Sequence, residues 1–371
     1  MSMKNIYAVI ILMLLTSFGA FATHLQGGEI RAKQISGQTY EISVLLYFDT
    51  VHGGPAIEQH NSLDVCTGDG QVISVNRISI TPHPGGDGST IGTYIGQYTY
   101  GSQGIYQISS QIDNRGSDII NFKNPNNSTL FLWTVLHTTV PNSTPILPKL
   151  TFSAGVKQPF VLDLNASDAE GDSISFAFQK LSKPSPGTCA VRSADNSYLY
   201  PNEVNATGTL KIDQTKKQLV WTAPTQVGQY IFALVMYEWR NGVRISETYR
   251  EGIINVSDRP GETVEIPPYE NPVNYGPITS IPSAGSPEIS IAVDAYPVPT
   301  SDYITVKAYS KTPSIITIQL IDLQGRIRQE HKSGIADRNM EHQFDLRDYQ
   351  SGVYLIRASN ENESVSKKIL R

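Results

Sequence analysis

Between residues 38 and 47 the apolar side chains Tyr40, Ile42, Val44 and Leu46 alternate with Glu41, Ser43 and Leu45, the period-two pattern of a half-buried strand. Similar runs recur at 72–80, 92–100, 105–112 and 129–137. Turn-forming clusters separate them, among them His52-Gly53-Gly54-Pro55 and Pro84-Gly85-Gly86-Asp87-Gly88. This spacing predicts an antiparallel β-sandwich over residues 23–140. A second β unit is expected over 146–258, introduced by Pro141, Pro145 and Pro148. Its clearest element is a hairpin of 228–240 and 243–256 around Asn241-Gly242, a dipeptide that favours the two-residue type I′ turn.

Arg240 opposite Val243 sets an expected register. One face then carries Phe232, Leu234, Met236, Ile245 and Tyr249, suited to a core. The other carries Ile231, Val235, Tyr237 and Trp239 beside Arg244, Ser246, Thr248 and Arg250. Tyr237, Trp239, Arg244 and Arg250 are therefore candidates for a ligand face, where rings and guanidinium groups stack on a sugar or on a partner's side chains. The competing reading covers that face with another strand.

From Asp258 the pattern stops. Prolines at 260, 267, 268, 272, 277, 282 and 287 interrupt a stretch without sustained apolar period, which reads as an extended linker over 259–290. Alternation resumes in a small β unit at 291–371. Tyr, Thr, Ser, Gly and Pro dominate where helix formers are sparse, so the fold class is all-β: two β-sandwich domains of immunoglobulin or cadherin type, a linker and a small C-terminal β-sandwich.

The N-terminus has a different pattern. Lys4 precedes the apolar run 6–15, and Ala20-Phe21-Ala22 supplies the small-x-small site of a secretory signal peptide over residues 1–22. Cleavage would leave a mature chain starting at Thr23 with no transmembrane anchor. Export also makes a disulfide between Cys66 and Cys189 chemically accessible; separate buried thiols are the alternative. A net charge of −5 with 17% charged residues offers no footprint for nucleic acid.

The C-terminal unit carries ordered motifs. Tyr296-Pro297-Val298-Pro299 precedes a strand beginning at Asp302, Asp322-Leu323-Gln324-Gly325-Arg326 forms a central D-x-x-G-R, and Gly352-Val353-Tyr354 leads to the terminal Lys367-Lys368-Ile369-Leu370-Arg371. On these residues the tail resembles the type IX secretion C-terminal sorting domain, type A, of gliding and related Gram-negative bacteria. Val298 departs from the usual Asn. The resemblance implies a sorting signal in Tyr296, Pro297, Pro299, Asp322, Gly325, Arg326, Gly352, Tyr354, Lys367 and Lys368, with the outer-membrane secretion machinery as partner. It implies secretion to the outer-membrane surface or the medium, usually with removal of the tail.

Upstream, Thr23-His24-Leu25-Gln26-Gly27-Gly28-Glu29-Ile30 and Glu238-Trp239-Arg240-Asn241-Gly242 resemble gliding-motility-associated surface proteins. Residues 152–178 with 219–224 resemble a cadherin-like, dystroglycan-type immunoglobulin repeat. These resemblances imply adhesion or surface display, with an unidentified surface glycan or protein as the expected ligand.

Within that repeat, Asp168, Glu170 and Asp172 surround a glycine turn. With Asp163 or Asp258 they are candidate calcium ligands, since calcium takes six to eight oxygens; the alternative is a solvated acidic turn. No cofactor is required. Asp49-Thr50-Val51 and Asp172-Ser173-Ile174 resemble the acceptor for periplasmic O-glycosylation, at Thr50 and Ser173. The histidines are scattered, and no G-x-S-x-G elbow, H-E-x-x-H or phosphate-binding loop occurs, so no catalytic constellation is expected. The expected function is a secreted, surface-associated adhesion or binding protein rather than an enzyme. The alternative is a small β-sandwich hydrolase or a glycan-binding accessory protein exported by the same route.

Overall fold

The computed structural model describes residues 24–371 except 51–56, 58–59, 86–87, 114, 117, 124, 126–127, 185–188, 191, 276–290, 297, 299, 301 and 362. The signal-peptide reading of 1–22 and the sorting-signal residues Pro297 and Pro299 fall outside the described residues. Of Tyr296 only the backbone is described.

The chain is all-β. Its first part contributes β1 (His24–Ser36), β2 (Thr39–Asp49), β3 (Ser62–Cys66), β4 (Val72–Pro82), β5 (Ser89–Thr99), β6 (Ile105–Ile112) and β7 (Leu130–His137). They hydrogen-bond in the order β1-β2-β5-β4-β3-β6-β7. The alternation seen in sequence is their burial pattern: Tyr40, Ile42, Val44 and Leu46 on β2 are fully buried while Glu41, Ser43 and Leu45 are half-buried. Rings of Tyr100 and Tyr106 stack at 4.2 Å in the same core.

The next part adds β8 (Ser153–Gly155), β9 (Phe160–Asp163), β10 (Ser173–Phe178), β11 (Ser182–Pro184), β12 (Arg192–Ala194), β13 (Thr209–Asp213), β14 (Gln218–Thr222), β15 (Gly228–Arg240), β16 (Val243–Ser257) and β17 (Val273–Tyr275). Asn241 and Gly242 take φ of 53° and 77°, as a type I′ turn requires. The free edge of β16 then binds several partners in succession. Residues 246–248 pair with β7, Gly27–Glu29 of β1 with Arg250–Gly252, and 255–257 with β8. Both ends of the first sheet thus meet one strand, and the hairpin lies between two cores. Ile231, Ala233, Val235 and Tyr249 face the first core, and Tyr230, Phe232, Leu234 and Met236 face the second. The boundary expected near residue 140 is therefore bridged by β16, which the sequence pattern assigns to the second unit alone.

The expected register holds at Arg240↔Val243 and Trp239↔Arg244, then shifts, because Glu238 pairs with Ser246 and Ile245 is the extra residue of a β-bulge. Beyond that point every β16 side chain changes face. Tyr249 moves to the side of Val235, and Arg250 leaves the side of Tyr237.

The linker reading is corrected for residues 259–275. Val264 N donates to Lys157 O at 2.8 Å, Gly208 N to Pro267 O at 2.9 Å, and β17 runs parallel to β13. Proline removes a donor but keeps its carbonyl, so a proline-rich segment still docks by accepting hydrogen bonds. Cys66 on β3 and Cys189 form a disulfide that closes a sequence separation of 123 residues.

The C-terminal part has β18 (Ile291–Tyr296), β19 (Tyr303–Ser314), β20 (Thr317–Asp322), β21 (Ile327–Lys332), β22 (Asp337–Asp345), β23 (Val353–Ser359) and β24 (Ser364–Leu370). Two sheets, β18-β19-β22 and β21-β20-β23-β24, enclose a core of Ile304, Ile316, Ile318, Leu320, Ile356 and Ile369.

Candidate functional site

Of the acidic residues singled out in sequence, Asp168 and Asp172 come together, and the partner they meet is Glu238 on β15. One ligand-type oxygen from each lies within 4.8 Å of the others. The 168–172 turn is built by Asp168 itself. Its Oδ1 accepts from the backbone N–H of Glu170 at 3.1 Å and of Asp172 at 2.7 Å, and Gly171 takes φ of 83°. Asp172 is then gripped by Arg240, with Nε donating to Oδ1 at 2.8 Å and Nη2 to Oδ2 at 2.5 Å. That pairing raises the Arg240 pKa further.

Glu238 is fully buried, and burial, followed by the facing carboxyl of Asp168, pushes its pKa up to about 9. Its Oε2 accepts from Asn142 Nδ2 at 2.6 Å and from Ser246 Oγ. Asn142 also accepts from Arg240 Nη2 at 3.0 Å, so the segment after β7, the acidic turn and the β15–β16 hairpin meet here. Glu170 points to solvent. Asp163, whose Oδ1 accepts from Asn165 N, and the exposed Asp258 lie outside the group. Sequence reasoning missed Glu238 because the pattern places it on a strand 70 residues from the turn; a carboxylate at an otherwise apolar strand position was the available signal.

The four ligand-face candidates separate. Trp239 is 7% exposed and its Nε1 donates to Ser175 Oγ at 2.8 Å. Arg244 is buried, 5.2 Å from the Tyr237 ring centroid and 5.9 Å from that of Trp239, with Nη2 at 3.2 Å from Glu247 Oε1. Arg250 belongs to the opposite face, fully buried and paired with Glu29, its Nη1 donating to Pro148 O at 2.6 Å. Burial alone would raise the Glu29 pKa, but Arg250 and Arg31 outweigh it and hold that carboxyl below the usual range. The exposed-ladder arrangement is thus corrected: the bulge turns Arg250 inward, and β10 covers Trp239.

Tyr237 remains accessible. With Phe178, Tyr200, Arg192 and Glu247 it lines a cavity of about 240 Å³ whose far wall includes Ile291 and Tyr309. Arg192 Nη1 lies 3.2 Å from Glu247 Oε2, and its guanidinium sits 3.8 Å over the Trp133 ring.

Thr50 is half-buried at the end of β2, its hydroxyl donating to Gly88 O. Ser173 opens β10 opposite Trp239.

In the tail, Asp322 organises the β20–β21 turn. Its Oδ1 accepts from the N–H of Gln324 and of Arg326, both at 3.0 Å, Arg326 Nε donates to Oδ2 at 3.0 Å, and Gly325 takes φ of 80°. Gly352 and Arg371 exchange backbone hydrogen bonds at 2.9 Å, and Tyr354 O–H donates to Gln350 O. Lys367 is buried and Lys368 exposed on β24.

These features define an all-β protein ending in a β unit with its own core. The family described as secretion system C-terminal sorting domain matches residues 294–370, so the chain carries a sorting unit for secretion by the type IX route, with a cell-surface or extracellular destination. No curated protein matches the chain. Among solved structures it is similar to a biofilm associated protein, BSP domain, at 8% identity and TM-score 0.18, over 98% of this chain and 69% of that one. It is also similar to the N-terminal four Ig domains of Dscam1 isoform 6.44, at 10% identity and TM-score 0.15, over 93% and 99%. Among the described residues no helix is long and apolar enough to cross a membrane.

Proposed function

We propose that the chain is a surface-associated adhesion or binding protein, delivered by the type IX machinery and recognising a surface glycan. The sorting unit at 294–370 carries the delivery. The binding half rests on the Tyr237 cavity, where the rings of Phe178, Tyr200 and Tyr237 stand beside the Arg192–Glu247 ion pair. Ring faces pack on the apolar face of a sugar while a charged pair at the wall orients its hydroxyls. The gliding-motility and cadherin-like resemblances support the same reading.

The delivery half is tested by deleting residues 291–371 in the native host. The truncated protein is expected to accumulate in the periplasm, and normal surface display of it overturns the assignment. The binding half is tested by glycan-array screening of the mature protein with and without its tail. Tyr237→Ala is expected to abolish the signal while leaving the melting temperature within a few degrees.

A further inference from the structure

The Asp168, Asp172 and Glu238 group contains two orphaned oxygens. Glu238 Oε1 and Asp168 Oδ2 are buried with no hydrogen-bond donor from elsewhere in the chain, only the two carboxyls facing each other, and Glu238 is 0% exposed. The orientation of Glu238 is fixed from behind, because Asn142 and Ser246 both donate to Oε2 and leave Oε1 directed at Asp168. Asp168 is fixed in the same way, its Oδ1 being taken by two backbone N–H groups of its own turn. Two carboxylate oxygens facing each other in a buried place require either a shared proton or a cation between them. Arg240 engages Asp172 and offsets its charge.

We propose that a calcium ion occupies this point, ligated by Asp168 Oδ2, Glu238 Oε1 and a carboxylate oxygen of Asp172. Water entering past the 168–172 turn, whose residues 169–171 are exposed, completes the shell. Each Asp172 oxygen retains a lone pair beyond the one given to Arg240. The donor set is all oxygen, which selects a hard cation over zinc or copper. A spread within 4.8 Å is compatible with oxygens on one calcium, which at 2.3–2.6 Å each lie at most about 5 Å apart.

The ion has a mechanical consequence. Its ligands come from the turn before β10 and from β15, and Arg240 carries the tie on to Pro141 O at 2.8 Å and Asn142 Oδ1 at 3.0 Å. Calcium thus locks the β15–β16 hairpin, which both cores share, to the segment that leads out of the first. This inference stands apart from the glycan reading and does not use the Tyr237 cavity.

The test is calorimetric titration of the mature protein with calcium chloride, alongside thermal melts. One calcium per chain and a rise in melting temperature at millimolar calcium are expected, with at least a tenfold loss of affinity in Asp168→Asn and Glu238→Gln. Glu170→Gln and Asp163→Asn should bind as the wild type does. A silent titration with an unchanged melt overturns the site in favour of a proton shared by Asp168 and Glu238. Magnesium chloride producing an equal shift overturns the choice of ion. Should Glu238→Gln fail to fold, terbium luminescence of the wild type decides: emission displaced by calcium supports the site, and absence of emission overturns it.

Discussion

Trp239 donates its indole N–H to Ser175 Oγ at 2.8 Å, joining β15 to β10 through a buried contact. With 7% of its surface exposed, Trp239 is a residue of the sheet junction, and a partner would reach little of it. Trp239→Ala is expected to cost about 3–5 kcal/mol, as large-to-small changes at buried aromatics do. Ser175→Ala should cost only about 1 kcal/mol, since it removes one hydrogen bond and leaves a small side chain. Urea denaturation of both variants checks the ranking, and a Trp239→Ala protein as stable as the wild type refutes the structural role.

The Glu29–Arg250 pair joins β1 to β16 across 221 residues of sequence, with both side chains fully buried. Glu29→Gln leaves the buried Arg250 charge uncompensated and is expected to destabilise by about 3 kcal/mol or more, whereas Arg250→Met should cost less, because Arg31 still pairs with Glu29. The double variant Glu29→Leu with Arg250→Met should be less damaging than the sum of the single changes. A double-mutant cycle in denaturant measures that coupling.

This pair also marks the limit of what the sequence discloses. The strands of 38–137, the Asn241-Gly242 hairpin and the sorting unit were legible because each is written locally, as a period-two run, a turn dipeptide or a D-x-x-G-R turn. Ile245 was not, because a bulge has no sequence signature beyond the strand that contains it. One unseen residue reversed the faces of everything after it, which moved Arg250 from the expected ligand face into an ion pair. The acidic turn was legible at Asp168 and Asp172, but Glu238, which completes the group, is brought there only by the pairing of β10 with β15.

His137 gives a pH dependence. Burial disfavours its charged form and, against the pull of Glu247, lowers its pKa from 6.5 to about 4. The unfolded chain takes up this proton below 6.5, whereas the native protein does not until about 4. Its contribution is therefore complete above pH 6.5 and is lost as pH falls toward 4, at most about 3 kcal/mol at roughly 1.4 kcal/mol per unit. His137→Gln should flatten the decline in unfolding free energy between pH 6.5 and 4.5. Identical slopes in the two proteins would remove His137 as its source.

Gly27 governs closure of the first sheet. It takes φ of 140° opposite Gly252, and a Cβ there would lie 2.0 Å from the backbone oxygen of Glu251. Backbone cannot yield as a flexible side chain can, so Gly27→Ala must push β1 off β16 and with it separate Glu29 from Arg250. Gly37, in the β1–β2 turn, provides the control: its φ of 53° is also left-handed, but a Cβ meets nothing within 4 Å. Gly37→Ala should cost about 1 kcal/mol, the ordinary penalty for a left-handed non-glycine residue. Gly27→Ala should cost several times more and expose the amides of Gly28 and Glu251 to hydrogen exchange while those of β4 and β5 stay protected. Equal melting temperatures for the two variants would show that β1 closes the sheet without needing glycine at 27.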